Sequence, residues 1–178
     1  MELRLTYDEM LALSDLATDQ QVGLVACHHV DAATIGLRVL VDLSGVSRLL
    51  AGKTAEATVH LQLGIRDPDT LVLQLARFHV EQAPLSFLLR PILGSTFFQR
   101  FVFGRIKAKP GFSVNRQTLA VLLEPNVLLG GKLKQYRLLL KHLSLTAAGL
   151  ELNLALGASP APAAVPGNPA PADASERH

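Results

Sequence analysis

The sequence predicts an α+β domain: a curved antiparallel sheet of about six or seven strands wrapped around one or two helices. Three observations predict it. Apolar and polar side chains alternate with period two in several separate segments. The segments are joined by turns too short for the crossover that parallel strands require. Two stretches break the alternation with helical features, one near the N-terminus and one in the middle of the chain.

"ELRLTYDEMLALSDLATDQQ" reads as a short strand followed by a helix. Thr6 and Glu9 have capping-box spacing, in which each side chain satisfies a free amide at the helix start. Met10, Leu13 and Leu16–Ala17 then recur near helical spacing. In 35–43, Ile35, Leu37, Val39, Val41 and Leu43 share one face, with Arg38 and Asp42 on the other. A short helix-like piece, "GVSRLLAG", follows. Segments 55–65 and 70–80 alternate in the same way about a "DPD" turn and read as a hairpin. After the central stretch come "FSVNRQTLAVLLE" and "KLKQYRLLLKHLSLT". The last strand is "LELNLALG", with Leu150, Leu152, Leu154 and Leu156 inward and Glu151, Asn153 and Ala155 outward. The remainder is Pro/Ala-rich and cannot bury enough apolar surface to fold. The domain is therefore expected over 1–157, with 158–178 a disordered tail.

The chain's 178 residues suffice for one domain with a real core. Only 18% are charged against 49% hydrophobic, and aromatics reach just 5%, so Leu, Val and Ala must do most of the packing. Cys27 is the single cysteine, which excludes an intrachain disulfide, and its apolar run "VGLVAC" predicts an inert buried thiol. The N-terminus has no apolar h-region, so no secretory leader is predicted. Arg90 and Arg100 divide the longest apolar stretch, so no transmembrane helix is predicted either. The expected location is cytoplasmic, peripheral on a membrane.

Net charge is +2, but it is unevenly spread. Positions 1–89 carry 6 basic and 11 acidic residues, whereas 90–141 carry 10 basic residues and one acid, Glu124. The basic middle favours anionic partners. "SRLLAGKT" (47–54) lacks the first glycine of a phosphate-binding loop, and a strand pattern follows it where a helix is needed. His28, His29, His60, His79 and His142 show no zinc-ligand spacing, although His60 and His79 fall on the two arms of one hairpin. There is no G-x-S-x-G elbow and no paired-carboxylate pattern. A non-enzyme without metal or other cofactor is expected.

Positions 83–104, "APLSFLLRPILGSTFFQRFVFG", hold five of the seven phenylalanines. The apolar groups exceed what one face of a surface helix can hide, and Pro91 would kink or restart a helix there. Such a helix is either fully buried or meets lipid on one side.

Three passages resemble the tubular lipid-binding (TULIP) superfamily, in its small bacterial single-module form. "ELRLTYDEMLALSDL" looks like the opening strand and capped helix. "VEQAPLSFLLRPILG" looks like the strand running into a Pro-bearing helix. "LKHLSLTAAGLELNLALG" looks like the closing hairpin. The likeness lies in polarity patterns, and the absent export signal departs from many bacterial relatives. It implies a curved sheet around a helix with acyl chains in the apolar gap.

The first functional expectation is thus a lipid-binding module for a phospholipid or fatty acid. Phe87, Leu88, Leu93, Phe97, Phe98, Phe101 and Phe103 would line its cavity. Arg90, Arg100, Arg105, Lys107 and Lys109 would meet an anionic headgroup or a membrane surface. The second is an interaction or scaffold protein that self-associates as a homo-oligomer through an apolar patch. Nucleic-acid binding through 90–141 ranks last.

Overall fold

The computed structural model describes residues 1–14, 21–46, 48–82, 92–106, 109–129 and 136–158. Strand β1 (Glu2–Leu5) leads into helix α1 (Tyr7–Ser14). The capping box forms as expected: the Thr6 amide donates to Glu9 Oε2 at 2.8 Å, and the Glu9 amide donates to Thr6 Oγ1 at 3.3 Å. Strands β2 (Val22–His29) and β3 (Thr34–Asp42) form a hairpin, and two single 3-10 turns, Leu43–Gly45 and Arg48–Leu50, lead on to β4. Strands β4 (Thr54–Asp67) and β5 (Thr70–Gln82) make the expected long hairpin about Pro68–Asp69. Helix α2 (Thr96–Gly104) follows, then β6 (Phe112–Asn115), β7 (Ala120–Leu123) and the short α3 (Pro125–Leu128). Strands β8 (Tyr136–Thr146) and β9 (Gly149–Ala158) close the chain, β9 running one residue past the predicted domain end.

The sheet is antiparallel throughout, but it is two sheets where one was expected. Six strands take the order β2-β3-β4-β5-β7-β6, and three take the order β1-β9-β8. The described strands exceed the predicted number for two reasons. "VGLVACHH" is nearly all apolar and gives no alternation, yet it forms β2. "FSVNRQTLAVLLE" folds back on itself as β6 and β7, its turn held by Asn115 Oδ1, which accepts from the amides of Gln117 and Thr118 at 3.0 and 3.1 Å. The large sheet bends at register shifts, one between β2 and β3 and three between β4 and β5, because each bulge adds a residue to one strand.

One continuous core joins both sheets. Val39, Val41, Ala55, Ala57, Val59 and Leu61 face Phe98, Val102 and Phe103 of α2, together with Leu140, Leu145, Leu150, Leu152 and Leu154 of the small sheet. The predicted inward faces of β3 and β4 are the buried ones. Leu156 differs: at the open end of the β8–β9 hairpin it is 59% exposed. Among the described residues, no helix is long and apolar enough to cross a membrane.

Candidate functional site

Helix α2 carries most of the described site residues, and its first turn sets which of them face inward. Ser95 is its N-cap, accepting from the Phe98 amide, while its own hydroxyl turns back to the Ile92 carbonyl at 2.5 Å. That start fixes the helical phase. Phe98, Val102 and Phe103 fall on the sheet side and are buried, Phe98 completely. Leu93, just before the helix, is also fully buried. The Phe98 ring meets Phe78 of β5 edge-on, centroids 5.8 Å apart at 76°, and stacks on half-buried Phe101 at 6.0 Å and 17°. Offset and edge-on contacts are the geometries that aromatic quadrupoles prefer.

The opposite side of α2 is different. Phe97 is 67% exposed, and Arg100, one turn further along the same face, is exposed and makes no hydrogen bond or ion pair among the described residues. Ile92, 46% exposed, adds apolar surface before the helix. At the C-terminal end, the Arg105 guanidinium lies over the Phe101 ring, 4.8 Å from its centroid. The helix's last carbonyls suit a cation, and Arg116, from the β6–β7 turn, donates to the Gly104 carbonyl at 3.3 Å. Lys109 is exposed, with its backbone paired to Phe112.

The structure thus gathers Leu93, Phe98, Phe101 and Phe103 in the core, and sets Phe97 and Arg100 on an outer helix face. Arg105 is engaged with Phe101. Phe87, Leu88, Arg90 and Lys107 lie outside the described residues.

Cys27 sits half-buried on β2, and burial pushes its thiol up to about 11, the direction opposite to an activated nucleophile. No group of three or more His, Cys, Asp or Glu side chains suited to a metal ion occurs among the described residues.

Sequence reasoning passed over one feature. A cleft of about 460 Å³ on the β4–β5 hairpin is lined by Thr58, His60, Arg77, Phe78, His79 and Glu81. Its sequence signal was the pair His60 and His79 on the two arms of the hairpin. The missing part was the register, which brings Arg77 opposite His60.

Comparison of the chain with models of protein families, with curated proteins and with solved structures finds no match.

Proposed function

We propose that the protein is a non-enzymatic lipid-binding module. Acyl chains meet the outer, exposed apolar surface around Phe97 and Ile92, since Phe98 fills the space between α2 and the six-stranded sheet, and Arg100 meets an anionic headgroup. One observation carries this reading: α2 leaves a large aromatic ring on its outer side. Phe98 fills the core beneath the helix, while Phe97 stands exposed beside Arg100, which has no hydrogen bond or ion pair among the described residues. Phe97 and Ile92 expose apolar surface that water disfavours, and a lipid boundary relieves that cost. An aromatic ring next to a guanidinium also suits the layer between acyl chains and phosphates, where one group goes in and the other stays out.

The same exposed patch supports a second reading, self-association through Phe97 and Ile92. Flotation of the full chain with vesicles of phosphatidylcholine alone, or mixed with phosphatidylglycerol, separates the two. The lipid reading predicts binding to the anionic vesicles and co-purified lipid in native mass spectrometry. Phe97→Ala and Arg100→Glu should each weaken vesicle capture, the latter severalfold, since one basic residue near an anionic surface contributes about 1 kcal/mol. A lipid-free mass together with no flotation on either vesicle defeats it. Sedimentation that shows a monomer at every concentration removes the self-association reading.

A further inference from the structure

The cleft on the β4–β5 hairpin lies on the sheet face turned away from α2. Along β4, Ala55, Ala57, Val59 and Leu61 are buried, so the intervening Thr58 and His60 stand on the other face. Along β5, Phe78 turns inward to Phe98, so Arg77, His79 and Glu81 turn outward. The register sets His60 opposite Arg77 and Thr58 opposite His79, two adjacent rungs with side chains within reach of one another. The first rung continues across the sheet. Gly36 of β3 pairs with both His60 and His28, so His28, Gly36, His60 and Arg77 form one row over four strands.

Gly36 has a specific consequence in that row. A Cβ there would stand 2.3 Å from His28 Nε2 and 2.4 Å from Cε1. The His28 ring therefore lies over β3 in the space a side chain would occupy, on the strand between itself and His60.

The charges in this face are unequally engaged. Glu56 is held by Arg38 at 3.2 Å, and Glu81 lies 4.0 Å from His79. Arg77 makes no hydrogen bond or ion pair among the described residues, nor do the side chains of Thr58 and His60, which are half-buried. Half-buried polar groups without partners in the fold are costly unless water or a ligand satisfies them. A guanidinium, two imidazoles and a hydroxyl converging on one hollow offer donors and positive charge. Their complement is a compact anion with several acceptor oxygens, and a guanidinium fork fits phosphoryl oxygens two at a time. The cleft volume falls within the roughly 300–1,000 Å³ of small-ligand sites. Glu81 at its edge suits a hydroxyl or ammonium on the remainder of the ligand.

We propose that this cleft binds the phosphoryl group of a phosphate ester, held by Arg77 and His60 on one rung and Thr58 and His79 on the next, with His28 flanking it across Gly36. The ester is either a soluble metabolite or a lipid headgroup, and the site stands independently of the lipid contact on α2.

The test is NMR of the histidine side chains in the full chain, titrated with inorganic phosphate and with glycerol 3-phosphate at constant ionic strength. The His60 and His79 signals should shift saturably with phosphate and not with chloride. Arg77→Ala should weaken binding about tenfold or more, as expected for loss of a hydrogen bond to a charged group. Gly36→Ala, which drives the His28 ring aside and leaves Arg77 in place, should weaken it less. Arg116→Ala, away from the cleft, should leave it unchanged. Vesicles containing phosphatidic acid form the second arm. Arg77-dependent capture of these vesicles identifies a lipid headgroup, and Arg77-dependent binding of the soluble ester alone identifies a metabolite. Unmoved histidine signals, or equal losses in Arg77→Ala and Arg116→Ala, overturn the proposal.

Discussion

Phe97 and Phe98 are neighbours with opposite fates, 67% and 0% exposed. Composition marks the stretch as greasy but cannot separate the two, because the answer depends on where the helix begins. Ser95 decides it by capping α2, and a serine directly after "LG" was a readable cap once the helix was known to restart there. Phe98→Ala should therefore cost about 3–5 kcal/mol, as a truncated core phenylalanine does. Phe97→Ala should change stability by no more than about 0.5 kcal/mol. Urea denaturation of both variants checks this, and similar losses in the two would contradict the inside–outside division. Cys27 was more legible: its apolar run predicted an inert thiol, and burial raises it from 9.0 to about 11. At neutral pH it should carry about a hundredfold less thiolate than a free thiol of ordinary acidity. Iodoacetamide should accordingly alkylate the native protein far more slowly than the urea-unfolded chain. The sign for stability follows from the neutral thiol being the favoured form. Its contribution is complete below 9.0 and is lost as pH rises from there through about 11.

At the scale of elements, period-two alternation located β3, β4, β5 and β9, because each has one buried and one solvated face. It failed at β2, where Leu24 and Ala26 straddle a register shift with Val25 as the extra residue, and the apolar run hides which side is inward. Without β2 as a strand, His28 could not be placed beside Gly36 and His60, and that is why the cleft's outer row was invisible in the sequence. The capping box of α1 was fully local and therefore legible. Its first amides are satisfied by Thr6 and Glu9, and the Thr6 amide and hydroxyl, both donating to Glu9 Oε2, hold the Glu9 carboxyl below the usual carboxylate range. The contact is intact at neutral pH and weakens as pH falls through that lowered value, when Glu9 takes up a proton. Thr6→Ala should cost about 1 kcal/mol. A thermal melt measures it, and the difference from the parent chain should shrink in acid. A difference that does not depend on pH would mean that Glu9 adds nothing to the cap.

At the scale of the whole molecule, the partition into two sheets depends on contacts that no local pattern encodes. Strand β1 pairs with β9 at the other end of the chain, and the Met1 amine donates to the Leu154 carbonyl at 2.8 Å. The second junction is the edge of β8 away from β9. A bare edge invites pairing with other chains, and here three separate groups cover it. The Leu140 amide donates to the Pro68 carbonyl at the tip of the β4–β5 hairpin, and the Leu145 amide donates to the Ala32 carbonyl at the β2–β3 turn, 3.3 Å away. Asn126 of α3 does the work of a strand residue: its Nδ2 donates to the Leu138 carbonyl at 2.9 Å, and its Oδ1 accepts from the Leu138 amide at 2.7 Å. Both bonds are partly buried, so removing the amide leaves a donor and an acceptor of β8 without partners. Asn126→Ala should cost about 1–3 kcal/mol and speed hydrogen exchange at the Leu138 amide well before that at Leu152, which lies inside the small sheet. Asn126→Asp keeps the acceptor but turns a second oxygen toward the Leu138 carbonyl, so it should fail to rescue stability at neutral pH. Unchanged exchange at Leu138 in Asn126→Ala would show that Pro68 and Ala32 alone hold the edge. The two sheets share one core, so loosening this junction should lower the midpoint of a single unfolding transition and leave it undivided.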